Sequence, residues 1–251
     1  MDISYSIELI KIISCLFFLI ISSFHDYRDR RVPNKIFKIF TPIAATLTAI
    51  DILLATNPLT QLTNFTLNMA ISLPIFYLIY YVGLFGGADA KIMITLSIAI
   101  PWPPKIVKPL IESNLPIFPI SILNDTILSS VLTLPYALLS NLNWKIRKGQ
   151  KLFEGLEKES LIKKISALVF CIKTEKARIR PYHMIAEDHG KIVLFRRVQE
   201  EDLSPKDLEG LPQSIFVTFS LPMLIFITIG FITAIYLGDF VIFLVRSFLR
   251  L

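Results

Sequence analysis

Charge is scarce in this chain. Of its 251 residues only 18% are Asp, Glu, Lys or Arg, whereas 53% are hydrophobic, and the mean hydropathy is +0.61. A soluble domain of this length must cover a large surface with polar side chains, and this composition cannot supply them. The class that remains is a polytopic membrane protein. Cysteine is almost absent as well: there are two. Cys15 lies in an apolar segment and Cys171 in a charged one, which argues against a mutual disulfide. No Cys-x-x-Cys pair occurs, and His25, His183 and His189 have no metal-ligand spacing, so neither a metal nor an organic cofactor is implied. The net charge of +6 reflects loops that stay cytoplasmic rather than a nucleic-acid partner. The usual marks of a cleavable leader are missing too. The run Leu9–Phe24 has no Lys or Arg ahead of it and no small-x-small site before His25, so it is expected to be a retained first helix.

What the chain has instead is a series of long apolar runs. A membrane-spanning helix needs about 20 mostly apolar residues. Ile3–Phe24, Ile36–Thr56, Asn64–Phe85, Ile117–Leu139 and Gln213–Phe243 each meet that requirement. A sixth run, Ala90–Ile100, is shorter and ends at Pro101-Trp102-Pro103-Pro104, which breaks a helix. A dozen residues rise only about 18 Å, less than the roughly 30 Å hydrocarbon core. Either the helix resumes through Lys105–Ile111, or it starts below the membrane surface with Asp89 lining a protein cavity.

The loops orient these spans. Arg28, Arg30, Arg31 and Lys35 follow the first, Asp51–Thr63 has no Lys or Arg, and Asn141–Leu211 is strongly basic. The expected fold is therefore an all-α polytopic membrane protein of six helices with both termini outside. Its expected parts are a membrane domain over residues 1–140, a cytoplasmic basic insertion over 141–212, and a sixth helix with the C-terminus over 213–251. The insertion reads as a small α+β unit or a partly ordered loop. Lys191–Val198 is strand-like and is preceded by a turn at Asp188-His189-Gly190.

The chemistry rests on carboxylates at the ends of apolar runs. Asp89 follows Gly86, Gly87 and Ala88, between the runs Leu67–Phe85 and Ile92–Ile100. An ionisable residue at or in a membrane is costly and marks a functional site. Glycine allows close backbone approach and positive φ, and a residue opening a helix meets orphan N–H groups. The plain alternative is an N-cap aspartate. Asp26 sits at the end of the first run, where a carboxylate opposes the helix dipole, although an ion pair with Arg30 is available. Asp29 lies among arginines and reads as a solvated partner. Asp125, inside Ile117–Leu139, is a rival or supporting acid, and Asp51 and Asp239 fall at the outer ends of helices. Lys91 has three readings: it neutralises Asp89, holds substrate, or snorkels to the surface. The topology puts Asp26 and Asp89 on one cytoplasmic face. Two carboxylates close together cannot both ionise, so one holds a proton and polarises a peptide carbonyl while the other activates water. This points to a membrane aspartyl endopeptidase.

The segments His25-Asp26-Tyr27-Arg28, Val32-Pro33-Asn34 and Gly86-Gly87-Ala88-Asp89-Ala90-Lys91 resemble the GxGD aspartyl peptidases of the type IV prepilin peptidase family, and within it the archaeal preflagellin and prepilin peptidases. The resemblance extends to the helix order and to the loop before the last helix. It implies that Asp26 and Asp89 are the catalytic pair, and that the partners are the lipid bilayer and archaellin or pilin precursors. It also implies removal of short basic signal peptides at the cytoplasmic face of the cell membrane. Ala88 departs from the motif, since glycine is usual there. The basic insertion would repel a basic substrate unless acids such as Glu154, Glu157, Glu159 or Glu200-Glu201 offset it. The competing class is a non-catalytic transporter or assembly scaffold, in which Asp26, Asp89 and Asp125 serve as ion relay or packing groups.

Overall fold

A computed structural model describes residues 3–111, 116–149, 151–179, 185–188, 190–193, 212–218 and 222–249. The chain folds as two units, Met1–Ser130 with Pro222–Leu251, and Val131–Leu221. The sequence suggests a boundary near residue 141; the contacts within each unit put it ten residues earlier.

The first unit holds α1 (Ile3–Asp29), α2 (Asn34–Leu53), α3 (Pro58–Tyr81), α4 (Gly87–Ala99), α5 (Phe118–Val131), α8 (Met223–Tyr236) and α9 (Phe240–Leu249). Four helical stretches among the described residues are long and apolar enough to cross a membrane: Ile3–Asp29, Asn34–Leu53, Pro58–Tyr81 and Phe118–Lys148. The pair α8 and α9, bent by 62°, makes a fifth if it counts as one span. Ile13, Phe17, Ile20 and Phe24 are exposed along α1, an apolar surface that lipid tolerates and water does not. The chain is a multi-pass membrane protein.

At 13 residues, α4 is too short to span unaided. It occupies the centre of its unit and packs against α1, α2 and α3. Ile92, Met93, Thr95, Leu96, Ser97 and Ala99 are buried, and a helix apolar on all sides belongs inside a bundle. Pro101 ends it, as its sequence implies. The Thr48 hydroxyl of α2 donates to the Ile98 and Ala99 carbonyls at 2.8 and 3.0 Å, satisfying acceptors that the terminating helix leaves open.

The run Gln213–Phe243 is not the single helix expected from its hydropathy. Ser214–Thr218 forms a strand, α8 starts only at Met223, and a break at Gly238 and Asp239 precedes α9. A five-residue apolar run carries no period that separates strand from buried helix. Pro222, just ahead of α8, pre-sets a helix start, and Gly238 takes φ 88° at the break. Likewise Ile117–Leu139 is interrupted at Leu132, between α5 and α6. Pro135 lacks the N–H that would have continued the ladder through that point.

The second unit contains α6 (Thr133–Lys148), α7 (Leu161–Phe170), β1 (Cys171–Glu175), a 3₁₀ turn at Lys176–Arg178, β2 (Glu187–Asp188), β3 (Lys191–Ile192) and β4 (Ser214–Thr218). β1 and β4 are antiparallel, with Cys171 opposite Thr218, and β2 and β3 form a hairpin. Gly190 of the expected turn takes φ 73°; most of Lys191–Val198 lies outside the described residues. Leu156, Ala167, Cys171, Ala186, Ile192 and Phe216 form the core. Asn141 ties α6 to it, donating to the Leu168 and Cys171 carbonyls and accepting the Lys173 N–H at 3.1, 2.8 and 2.8 Å. Lys173 is buried against Glu187 at 3.1 Å. Glu157 and Glu159 are engaged locally, by the Gly155 N–H and by Lys163, and Glu200 and Glu201 lie outside the described residues.

Candidate functional site

Asp26 belongs to the last turn of α1, and the helix runs on to Asp29. On its own helix its charge is badly placed, because the C-terminal end carries the negative pole. The packing of α1 against α8 removes that problem. Ser23 Oγ and Thr228 Oγ1 lie 2.9 Å apart across the two helices, and the Leu224 N–H donates to Asp26 Oδ2 at 3.3 Å. Leu224 is in the first turn of α8, whose own preceding residue, Pro222, offers no side-chain cap. Asp26 therefore faces the positive end of a helix far away in sequence.

Asp89 reaches a helix start in a second way. It is the third residue of α4, and its Oδ2 accepts the Gly86 N–H at 2.9 Å, the acidic half of a capping box. Gly86 has an ordinary φ of −71°, so positive φ is not what the motif requires. That conformation falls upstream at Gly83, φ 84°. Space is the requirement instead. A Cβ on Gly86 would lie 3.2 Å from Asp89 Oδ2, whereas one on Gly87 would meet only Tyr80 Cε2 at 3.8 Å. Ala88 sits in the first helical turn, partly buried against the core, where alanine is the best helix former.

The charge of Asp26 bears on Asp89. Asp89 lies ahead of Ala90–Ile100 and outside the candidate spans, and its carboxyl is pushed up to about 7. Burial is the main cause; the Gly86 N–H works the other way, and the nearby Asp26 charge raises it further. The Asp89 site is half-buried.

The remaining candidates fall elsewhere. Lys91 Nζ donates to Asn34 Oδ1 at 2.9 Å and lies 5.8 Å from the Phe37 ring, tying the start of α4 to the start of α2. Asp29 is half-exposed beside His25 and Arg28, at 3.7 and 3.5 Å. Asp125 accepts the Phe240 N–H at 3.2 Å, and Asn124 donates to Asp239 at 2.9 Å. These groups surround the far end of α8. Asp125 also reaches Thr233, nine residues along α8 from Leu224, a rise of about 14 Å, so it is not grouped with Asp26. Asp51, expected at an interface, is paired at 2.9 Å with Lys11, which is buried within α1. Sequence reasoning missed the amide end of α8 altogether. The available signal was Pro222, a helix-start residue in the middle of an apolar run.

This is a membrane protein with two half-buried carboxylates, Asp26 and Asp89, each bonded to an N–H at a helix start. A family model for the type IV leader peptidases matches residues 13–138, and one for the archaeal peptidase A24 C-terminus, type II, matches residues 160–240. The chain belongs to the type IV leader peptidase family, in its archaeal prepilin and preflagellin peptidase branch, and is a peptidase. No curated protein matches it. The first match contains both Asp26 and Asp89.

Proposed function

We propose that the protein is an aspartyl endopeptidase that removes short basic signal peptides from archaellin or type IV pilin-like precursors, with Asp26 and Asp89 as its catalytic pair. The observation that carries this reading is geometric: each carboxylate accepts an N–H at the start of a helix, Asp89 from Gly86 and Asp26 from Leu224. Asp89 holds the proton and donates it as a hydrogen bond to the scissile carbonyl. Asp26, whose carboxylate accepts the Leu224 N–H at the positive end of α8, takes a proton from water as the oxygen attacks. Collapse of the tetrahedral intermediate breaks the C–N bond, and the leaving nitrogen takes up the proton that Asp26 drew from water, while Asp89 keeps its own. The products are a peptide acid and a free amine.

In this reading the chain crosses the membrane six times with both termini outside. The basic stretch Arg28–Lys35 keeps Asp26 and Asp89 on the cytoplasmic side, ahead of the substrate's own hydrophobic helix. The substrate partner is then an archaellin or pilin precursor held in the same bilayer.

The test is cleavage of an archaellin-type precursor in membranes carrying the parent protein, Asp26→Asn, Asp89→Asn or Asp125→Asn at matched expression. Loss in the first two with retention in the third is the expected result. Full activity in Asp89→Asn would end the aspartyl reading, and loss confined to Asp89 and Asp125 would move the site away from Asp26.

A further inference from the structure

The second unit contains a cavity of about 440 Å³ between the last two turns of α6 and the segment β1 to Arg178. Four cations line it, Arg147, Lys148, Lys173 and Arg178, against one carboxylate, Glu175. Glu175 already contacts Lys148 and lies 3.6 Å from Arg178. Lys173 is committed to Glu187. Arg147 has no carboxylate partner among the described residues, so the wall carries positive charge that the described residues do not balance.

The helix dipole accounts for basic side chains in the last turn of α6. It does not account for Arg178, which comes from a different element, nor for Trp144. The Trp144 Nε1 is buried without a hydrogen-bond partner and its side chain lines the same cavity. An indole N–H is a donor only, and leaving it unpaired costs about 1–3 kcal/mol. A donor so placed, among guanidinium groups suited to forked hydrogen bonding, fits an anion with several acceptor oxygens.

We propose that this cavity binds a phosphate group, held by Arg147, Arg178 and, once binding turns the indole toward it, the Trp144 N–H. The approach to it favours a phospholipid headgroup. Tyr136, Leu138, Leu139 and Leu142 are exposed on α6 and are followed by Trp144, Lys145, Arg147 and Lys148. That order, apolar then aromatic then basic, is the one in which a span emerges through the headgroup layer. A soluble phosphate ester has the same chemistry and is the second source.

The chain has two tryptophans, so the full-length Trp102→Phe protein reports on Trp144 alone. Its emission is followed in nanodiscs of phosphatidylcholine, in nanodiscs containing phosphatidylglycerol, and in phosphatidylcholine nanodiscs titrated with inorganic phosphate against chloride of equal ionic strength. A saturable change with phosphatidylglycerol only identifies the headgroup, and a change with inorganic phosphate identifies a soluble ester. Arg147→Gln and Arg178→Gln should each weaken the response roughly tenfold. Arg178→Lys, which keeps the charge, should recover part of it, and Lys145→Gln, outside the cavity, should change little. No response to either ligand, or a Lys145→Gln loss as large as that of Arg147→Gln, would overturn the site.

Discussion

Asp26 closes a helix to which it does not belong: its Oδ2 accepts the N–H of Leu224, 198 residues further along the chain. One carboxylate thus has two duties, holding α8 against α1 and, in the proposed chemistry, activating water. The two can be separated. Asp26→Asn keeps an oxygen for the Leu224 N–H and loses the charge. It should retain the parent's thermal midpoint in detergent and lose about a hundredfold or more in cleavage. Asp26→Ala should lose the cap as well, at about 1 kcal/mol, and so unfold at a lower temperature than the Asn variant. Equal midpoints for the two variants would mean that the contact contributes nothing to the fold.

The two motif glycines should differ in tolerance. Alanine at Gly86 sets a methyl 3.2 Å from Asp89 Oδ2 and must displace that carboxylate or the backbone around it. Alanine at Gly87 meets an ordinary contact with Tyr80. Gly86→Ala should therefore cut kcat by an order of magnitude or more, because small misplacements of a reacting group are costly. Gly87→Ala should stay within a few-fold of the parent. The reverse order in a kinetic comparison would show that Gly87, not Gly86, makes room for substrate.

Cleavage should decline with alkali. The Asp89 carboxyl is pushed up to about 7, mainly by burial, so it is protonated below that pH and ionised above it. If Asp89 supplies the proton to the scissile carbonyl, kcat/KM should fall about tenfold per pH unit beyond about 7. The alkaline limb belongs to the pair, since Asp26 raises the same group. A pH profile flat well into the alkaline range would place the essential proton on another residue.

The parts of this protein that announce themselves in sequence are those set by local composition. Long apolar runs marked α1, α2 and α3, Pro101 marked the end of α4, and two glycines before an acid marked Asp89. The parts that stayed hidden depend on partners distant in the chain. Nothing near Asp26 reveals that α8 begins beside it. Ser214-Ile215-Phe216-Val217-Thr218 becomes a strand because β1 is there to pair with it, and in isolation the same residues pass for the start of a helix. Ala88 departs from a motif in which glycine is usual, and the sequence alone does not show the backbone it must adopt. Once α4 starts at Gly87, an alanine in its first turn is unremarkable.

Lys11 and Asp51 illustrate a hidden pair with a measurable effect. Lys11 interrupts the apolar run of α1, where a lone ammonium would be expensive. It is buried, lies 2.9 Å from Asp51 of α2, and sits 5.3 Å from the Trp102 ring. Removing one partner strands the other charge, so Asp51→Leu alone should destabilise the protein by about 3 kcal/mol. Removing both with apolar residues of similar size should recover most of that loss, because the desolvation cost of both ions goes with them. The check is thermal unfolding of Lys11→Met, Asp51→Leu and the double variant in one detergent, with precursor cleavage measured alongside. Counted along α1, Lys11 lies 15 residues before Asp26, about 22 Å, so the folded double variant should cleave at nearly the parent rate. A double variant no more stable than the worse single would show that the pair is not coupled, and Lys11 would then owe its place to Trp102 alone.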